Sequence, residues 1–262
     1  MLTKNERNSV KALRSREARH IENKMVVEGT KGILELLESS LVTERIYTTS
    51  CSDFPELRRV AHEKDVEVIN VSSKDMEIMS SLKKAPGALA VGKIPQHPED
   101  VLIRSVRKPL DNRVPCLVLL DDLVDPGNVG TIIRTADWFG FAGVVCSPRT
   151  ADVWNAKSIQ ASMGSVFRMP VIVADLAEFT QSNDLNCVVL DAKGESIYDN
   201  ADMPNAIVVG SESHGISDKM KQASNMVWAI PGSGNAESLN AAIAGAIVCS
   251  EVSKRWSKLM LS

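Results

Sequence analysis

Residues 116–134 read CLVLLDDLVDPGNVGTIIR. An unbroken apolar run ends in two aspartates, the texture of a strand covered on both faces rather than one that alternates between core and water. A turn follows at Asp125-Pro-Gly127, Asn128 stands where a helix N-cap is expected, and apolar residues resume at helical spacing. Strand, polar turn and helix in that order are the building unit of a parallel α/β sheet. The texture recurs downstream of the first strand, Leu117–Asp121. Further strands are expected at Gly143–Ser147, Pro170–Val173, Cys187–Leu190, Ala206–Gly210 and Val227–Ile230, with helical patterns between them. A long helix from Ser238 to about Trp256, carrying Leu239, Ile243 and Ile247 at every fourth residue, closes the chain. Residues 116–262 therefore read as one parallel-sheet α/β domain.

Working back toward the N-terminus, residues 95–115 change character. Pro95, Pro98, Pro109 and Pro115 lie among charged residues, which marks a linker with a short helix over Glu99–Arg107. Residues 1–94 read as a smaller α/β unit. Its helix over Gly29–Glu38 has Ile33, Leu34 and Leu37 spaced for a buried face, and strands are expected at Arg45–Thr48, Val66–Val71 and Ala88–Val91. Ser72 followed by Asp75 marks a helix start, and Pro86-Gly87 a turn.

Composition narrows the function classes. The chain of 262 residues is 44% hydrophobic and 24% charged, as a water-soluble globular protein is. It has no run of about 20 apolar residues to span a bilayer, and its polar, basic N-terminus lacks the apolar core of a secretory signal. A cytoplasmic protein is the expectation. The five cysteines (Cys51, Cys116, Cys146, Cys187 and Cys249) and four histidines are scattered without metal-ligand or redox spacing, so no metal is expected. The net charge of -3 gives no global sign of nucleic-acid binding. The first 24 residues are different: Lys4, Arg7, Lys11, Arg14, Arg16, Arg19 and Lys24 less Glu6, Glu17 and Glu22 leave +4. Lys4, Arg7, Lys11 and Arg14 share one helical face by their spacing. Such a stripe is either a solvated helix face or a grip on phosphates.

In a parallel sheet, ligands bind beyond the carboxyl ends of the strands. Three loops there are rich in small and polar residues. The first is 121–134, with Asn128 as a cap and Arg134 almost two turns into the helix. The second is Gly210-Ser-Glu-Ser-His-Gly215, where glycines admit close backbone approach, Glu212 offers an acceptor, and His214 reads either as a general base, being titratable near neutrality, or more simply as an exposed loop histidine. The third is Ile230-Pro-Gly-Ser-Gly-Asn-Ala-Glu-Ser-Leu-Asn240. Gly232 and Gly234 suggest a dinucleotide fingerprint, but Glu237 replaces its third glycine and the loop follows the last strand. No phosphate-binding GxxxxGK[ST] and no GxSxG nucleophile elbow occurs.

Taken together, Asn128, Arg134, Gly210, Glu212, Ile230, Ser238, Leu239 and Asn240 resemble, in order and spacing, the three motifs of the SpoU (TrmH-like) RNA 2'-O-methyltransferases of the SPOUT superfamily. Arg14 to Arg19 followed by Val27-Glu-Gly29 resembles the substrate-binding domain often fused ahead of these enzymes, itself similar to a ribosomal-protein RNA-binding fold. The resemblance implies a deep trefoil knot from about Ala206 to Val252. It also implies a bent S-adenosyl-L-methionine in a pocket lined by Gly210, Ile230 and Leu239, with Ala192 and Pro231 as neighbours. It implies methyl transfer to a ribose 2'-hydroxyl, with Arg134 beside the ribose as the family's assigned proton acceptor. Asn128, Glu212, Ser238 and Asn240 would orient Arg134 and the nucleotide, and a homodimer would place the active site at its interface. The basic residues Lys4, Arg7, Lys11, Arg14, Arg16 and Arg19 then become an RNA grip. A separate recognition module favours large-subunit rRNA over tRNA as substrate. The alternatives are a tRNA 2'-O-methyltransferase and, in other classes, a non-catalytic RNA-binding protein or a dinucleotide-dependent oxidoreductase.

Overall fold

A computed structural model describes residues 2–50, 54–109, 113–199 and 202–261. Cys51 of the sequence analysis lies outside them. The chain divides into two compact units. The first joins Met1–Gln96 to Asp152–Arg168, and the second joins His97–Ala151 to Met169–Ser262. Residues 152–168, which the sequence reading kept with the second domain, thus belong to the first unit.

The first unit begins with α1 (Lys4–Ala12), α2 (Arg16–Glu22), β1 (Lys24–Glu28), α3 (Thr30–Glu38) and β2 (Thr43–Thr48). It continues through α4 (Pro55–Glu63), β3 (Val68–Asn70), α5 (Ser73–Met79) and β4 (Ala88–Lys93). Its helix starts are written locally. Thr3, Ser15 and Ser72 accept from the amides of Glu6, Ala18 and Asp75 at 3.2, 3.1 and 3.1 Å, each occupying one otherwise orphaned helix donor. The sheet runs β1-β4-β2-β3, with β4 antiparallel to both neighbours and β3 parallel to β2. Ile33, Leu36, Ile46, Leu57, Met76 and Leu89 are fully buried around it. The strand β1 was not anticipated from the sequence.

The basic stripe is corrected here. The first helix ends at Ala12, so Arg14 does not share its face. Instead Arg14 donates to the carbonyls of Glu77 at 3.2 Å, Ile78 at 2.7 Å and Ser80, closing the carboxyl end of α5. Arg7 pairs with Asp75 at 2.7 Å. Arg19 is buried and pairs with Asp152, while also donating to the carbonyls of Leu13 and Arg14 at 2.9 Å each. These three guanidiniums hold the protein together. Lys4, Lys11 and Arg16 remain exposed.

The second unit opens with α6 (Glu99–Arg107), the short helix read in the linker. Its Leu102, Ile103 and Val106 are buried in the unit's core, so this stretch is packed structure. It is followed by β5 (Val114–Asp121), α7 (Pro126–Trp138) and β6 (Phe141–Cys146). After the excursion carrying α8 (Ala156–Ser162) come β7 (Val171–Val173), α9 (Leu176–Ser182), β8 (Cys187–Ser196) and β9 (Ala206–Gly210). The chain ends with α10 (Asp218–Ala223), β10 (Met226–Ala229) and α11 (Ala241–Leu261). All pairings are parallel, in the order β10-β8-β9-β5-β6-β7. From β5 the chain moves outward through β6 and β7. It then returns to the other side, where β9 fills the gap between β8 and β5. This reversal of direction between β5 and β9 is where an open α/β sheet offers a crevice.

The last elements are tightly interleaved. The outermost strand β10 meets β8 at two separate places, Val188–Val189 and Glu195–Ser196. A Cβ on Gly194 would lie 2.5 Å from the Trp228 backbone carbon, so only glycine fits there. From β10 the chain returns to lay α11 on α7, β9 and β5. There Arg255 sits 4.7 Å from the centre of the Trp228 ring and donates to the carbonyls of Ile197 and, at 3.0 Å, Asp202.

Candidate active site

Strands β5 and β9 end side by side, with Asp121 paired to Gly210. Beyond them the second loop is folded back on itself, Ser211 and Gly215 exchanging backbone hydrogen bonds of 3.1 and 2.8 Å. That closure explains Gly210: an added Cβ would meet the Gly215 carbonyl oxygen at 2.5 Å. The buried Asp121 carboxylate accepts from the Ser217 amide at 2.7 Å and ties the far end of the loop to β5. Glu212 is thereby held at the exposed tip.

The first loop differs from expectation in its cap. The N-cap of α7 is Asp125, which accepts from the Gly127 amide at 3.3 Å ahead of Pro126 at the first helical position. Asn128 lies in the first turn, and its side chain is free to reach outward. Its Nδ2 donates to Glu212, and its Oδ1 accepts from Asn240 Nδ2 at 3.2 Å. Asn240 in turn caps α11, its Oδ1 accepting from the amides of Ala242 at 3.0 Å and Ile243 at 3.2 Å. The closing helix therefore starts at Ala241 rather than Ser238. One chain of side-chain hydrogen bonds, Glu212–Asn128–Asn240, joins all three loops.

The other expected residues do not join this chain of hydrogen bonds. Arg134 is exposed on α7 and has no hydrogen-bond or ion-pair partner among the described residues. Ser238, Leu239 and Pro231 are exposed, Ile230 is half-buried after β10, and Ala192 is exposed on β8. From Pro231 to Leu239 the backbone amides and carbonyls have no partner among the described residues, and nothing lies within 4 Å of a Cβ built on Gly232 or Gly234. A loop of this kind can give its hydrogen bonds to a bound molecule.

Sequence reasoning missed a second cluster at the end of β5. Asp122 adopts the left-handed conformation at φ 56°. Its amide donates to Ser147 Oγ at 2.9 Å, its carboxylate accepts from Ser147 Oγ at 2.7 Å, and Arg149 pairs with the second oxygen. Burial raises the Asp122 carboxyl, but the hydrogen bonds from Arg149 and Ser147, with the charges of Arg149 and His214, outweigh it and hold it below the usual carboxylate range. His214 is exposed and shares a 2.7 Å hydrogen bond with Ser213 Oγ. The doublet Asp121-Asp122 at a strand end was the only available signal, since Ser147 and Arg149 follow the next strand. Among the described residues no group of three or more His, Cys, Asp or Glu could hold a metal ion. Cys116, Cys146, Cys187 and Cys249 are buried, and burial pushes the Cys187 thiol up to about 12.

Residues 115–250 match the SpoU rRNA Methylase family. The chain belongs to that family. As a SpoU methylase it is an RNA methyltransferase, and residues 6–90 match the MRM3-like substrate binding domain. A relative from Mycobacterium avium, named an uncharacterized tRNA/rRNA methyltransferase, is 31% identical over 252 residues, covering 92% of this chain and 80% of its own. One of the same name from Mycolicibacterium smegmatis is 29% identical over 265 residues, 96% of this chain and 83% of its own. Among solved structures, a TrmH-family protein from Porphyromonas gingivalis superposes with a TM-score of 0.80 at 32% identity, over 97% of this chain and 99% of that one. The SpoU methyltransferase AviRb from Streptomyces viridochromogenes, solved with AdoMet, superposes at 0.83 and 24% identity over 97% and 98%. Its likeness is one of fold.

Proposed function

We propose that this SpoU methylase transfers a methyl group from S-adenosyl-L-methionine to a ribose 2'-hydroxyl, in large-subunit rRNA rather than tRNA. The observation that carries the reading is the Glu212–Asn128–Asn240 chain, which draws the three motif loops together at the switch point of the sheet. The unpaired backbone of Pro231–Leu239, which follows the half-buried Ile230, fits an adenosyl group, whose ring needs an apolar slot and a few backbone hydrogen bonds. Gly210, Ile230, Leu239, Ala192 and Pro231 would hold it. When bound, the cofactor supplies a methyl group already activated on a sulfonium.

The protein's own contribution is alignment and charge. Asn128 is held on both sides, by Glu212 and by Asn240. Arg134, exposed on the same helix as Asn128 and without a partner among the described residues, would supply its guanidinium to the nucleotide. A guanidinium is an always-charged donor, which suits it to clamp a phosphate and polarise the hydroxyl better than to accept its proton. Ser238 lies two residues before the helix cap, within the exposed loop, and can orient the nucleotide. A homodimer is supported by the exposed Trp138 and Ile243 on the packed helices α7 and α11, since large exposed apolar side chains mark association surfaces. Trp138 lies one turn beyond Arg134, so the second copy would border the same site. The returning path of α11 is compatible with the family's trefoil knot. No described helix is long and apolar enough to cross a membrane.

Titration of the purified protein with S-adenosyl-L-methionine in a calorimeter, together with mapping of 2'-O-methylation in RNA from cells lacking the gene, tests the proposal. Saturable binding and the loss of one methyl mark from large-subunit rRNA are expected. No binding would defeat the enzymatic reading, and a mark lost from tRNA would move the substrate.

A further inference from the structure

The two ends of the first unit's sheet differ in how many of their cations are paired. Register places Glu28 opposite Leu89, and Thr48 opposite both Ala88 and Asn70. The carboxyl ends of β1, β2 and β3 therefore share one end of the sheet with the start of β4. Four lysines stand there. Lys31 follows β1 in the first turn of α3, Lys74 follows β3 in the first turn of α5, and Lys83 and Lys84 precede β4. All four are exposed, and none has a hydrogen-bond or ion-pair partner among the described residues. At the opposite end Lys24 pairs with Glu44 at 2.8 Å, and Arg45 pairs with Glu6 at 2.6 Å and Glu67 at 2.9 Å, which leaves Lys64 and Lys93 as the exposed lysines there without an ion-pair partner among the described residues.

The segment bearing Lys83 and Lys84 is also held firmly. The Glu28 carboxylate accepts from Ser80 Oγ and, at 2.7 Å, from the Ser81 amide, while Arg14 holds the carbonyls of Glu77, Ile78 and Ser80. Thr49 donates its amide to the Gly87 carbonyl at 2.9 Å and closes the far side. Unpaired lysines on a braced rim can meet phosphates without first breaking an internal ion pair. That saves ordering cost on association.

We propose that this lysine rim, and not the N-terminal stripe, is the phosphate-binding surface of the first unit, and that its partner is RNA. The inference rests on the RNA-methyltransferase reading above. Arg14 then acts as a positioning residue for the rim.

The test uses the full chain and unmodified large-subunit rRNA transcribed in vitro, with affinity measured across a salt series. Each lost phosphate contact reduces the slope of log affinity against log salt by about 0.7–0.9. K31A/K74A/K83A/K84A should therefore flatten the slope by about 3 and weaken binding at least tenfold at physiological salt, roughly, while calorimetric S-adenosyl-L-methionine affinity stays unchanged. The double variant K64A/K93A, from the opposite end of the sheet, should keep the wild-type slope. A quadruple variant with wild-type slope and affinity overturns the rim. If instead the wild-type protein binds the cofactor but no RNA, the substrate reading itself fails. If K64A/K93A matches the quadruple variant, the contact is diffuse and the rim is equally refuted.

Discussion

Replacing Arg19 with methionine should unfold the first unit early while sparing its grip on RNA. The guanidinium donates through Nε to Asp152 Oδ2 at 2.8 Å, through a second nitrogen to the same oxygen, and to two backbone carbonyls at 2.9 Å. Both side chains are almost sealed from water, 4% and 6% exposed. Methionine fills the stem's volume but leaves a buried carboxylate whose remaining neighbours are the Trp154 amide at 3.1 Å and the half-exposed His20 imidazole at 3.8 Å. Removing one member of a buried pair costs about 3–5 kcal/mol. At about 2–4 °C per kcal/mol for a domain of this size, the melting temperature should fall by about 6–20 °C. Thermal unfolding of the full chain followed by circular dichroism measures it. The double variant R19M/D152L removes the stranded charge and should recover most of the loss, because a buried ion pair replaced by apolar groups is often neutral. A melting temperature within about 2 °C of wild type for R19M alone, coupled with a loss of RNA affinity, would refute the reasoning and return Arg19 to the RNA surface.

Three further outcomes follow from the site. Arg134→Ala should abolish methyl transfer with cofactor affinity nearly intact in calorimetry; a large loss of cofactor binding would show that its role is misplaced. Gly210→Ala forces a Cβ onto the Gly215 carbonyl at 2.5 Å, so it should cost about 1–3 kcal/mol and displace Glu212, seen as a lower melting temperature and slower single-turnover transfer. Asp122 is held below the usual carboxylate range, so the folded state binds its proton less readily than the unfolded chain does. Its contribution is complete above about pH 4 and is lost as the pH falls through the depressed folded value. Asp122→Asn should therefore flatten the acid limb of a stability-against-pH curve, and an unchanged limb would contradict the assigned ion pair.

What the sequence made legible was local. Buried strands announce themselves as apolar runs, and β9 occupies Ala206–Gly210 as read. Ser72 caps α5 through a side chain three residues from its donor. The cap at Asp125 was also readable, because proline prefers the first helical position and so points to the residue before it. The internal partners of Arg7, Arg14 and Arg19 were not legible, because spacing fixes which residues share a face and says nothing of what that face meets. Arg19 finds Asp152 across 133 residues, a separation with no local signature. The three loops were legible as motifs, whereas the bond from Asn128 to Asn240 depends on how α11 returns to the sheet.

The first unit is assembled from two pieces of chain, and this gives the molecule a timetable. A ribosome releasing the protein from its N-terminus delivers β1 through β4 early, yet Asp152 and α8 arrive only after β5, α7 and β6 have been made. Until then Arg19 has no counter-ion to close on. The recognition module is thus completed only once the heart of the catalytic sheet is already in hand. The same sewing limits how such proteins can be recombined: exchanging residues 1–96 between relatives carries away half of a buried ion pair unless 152–168 travels with them.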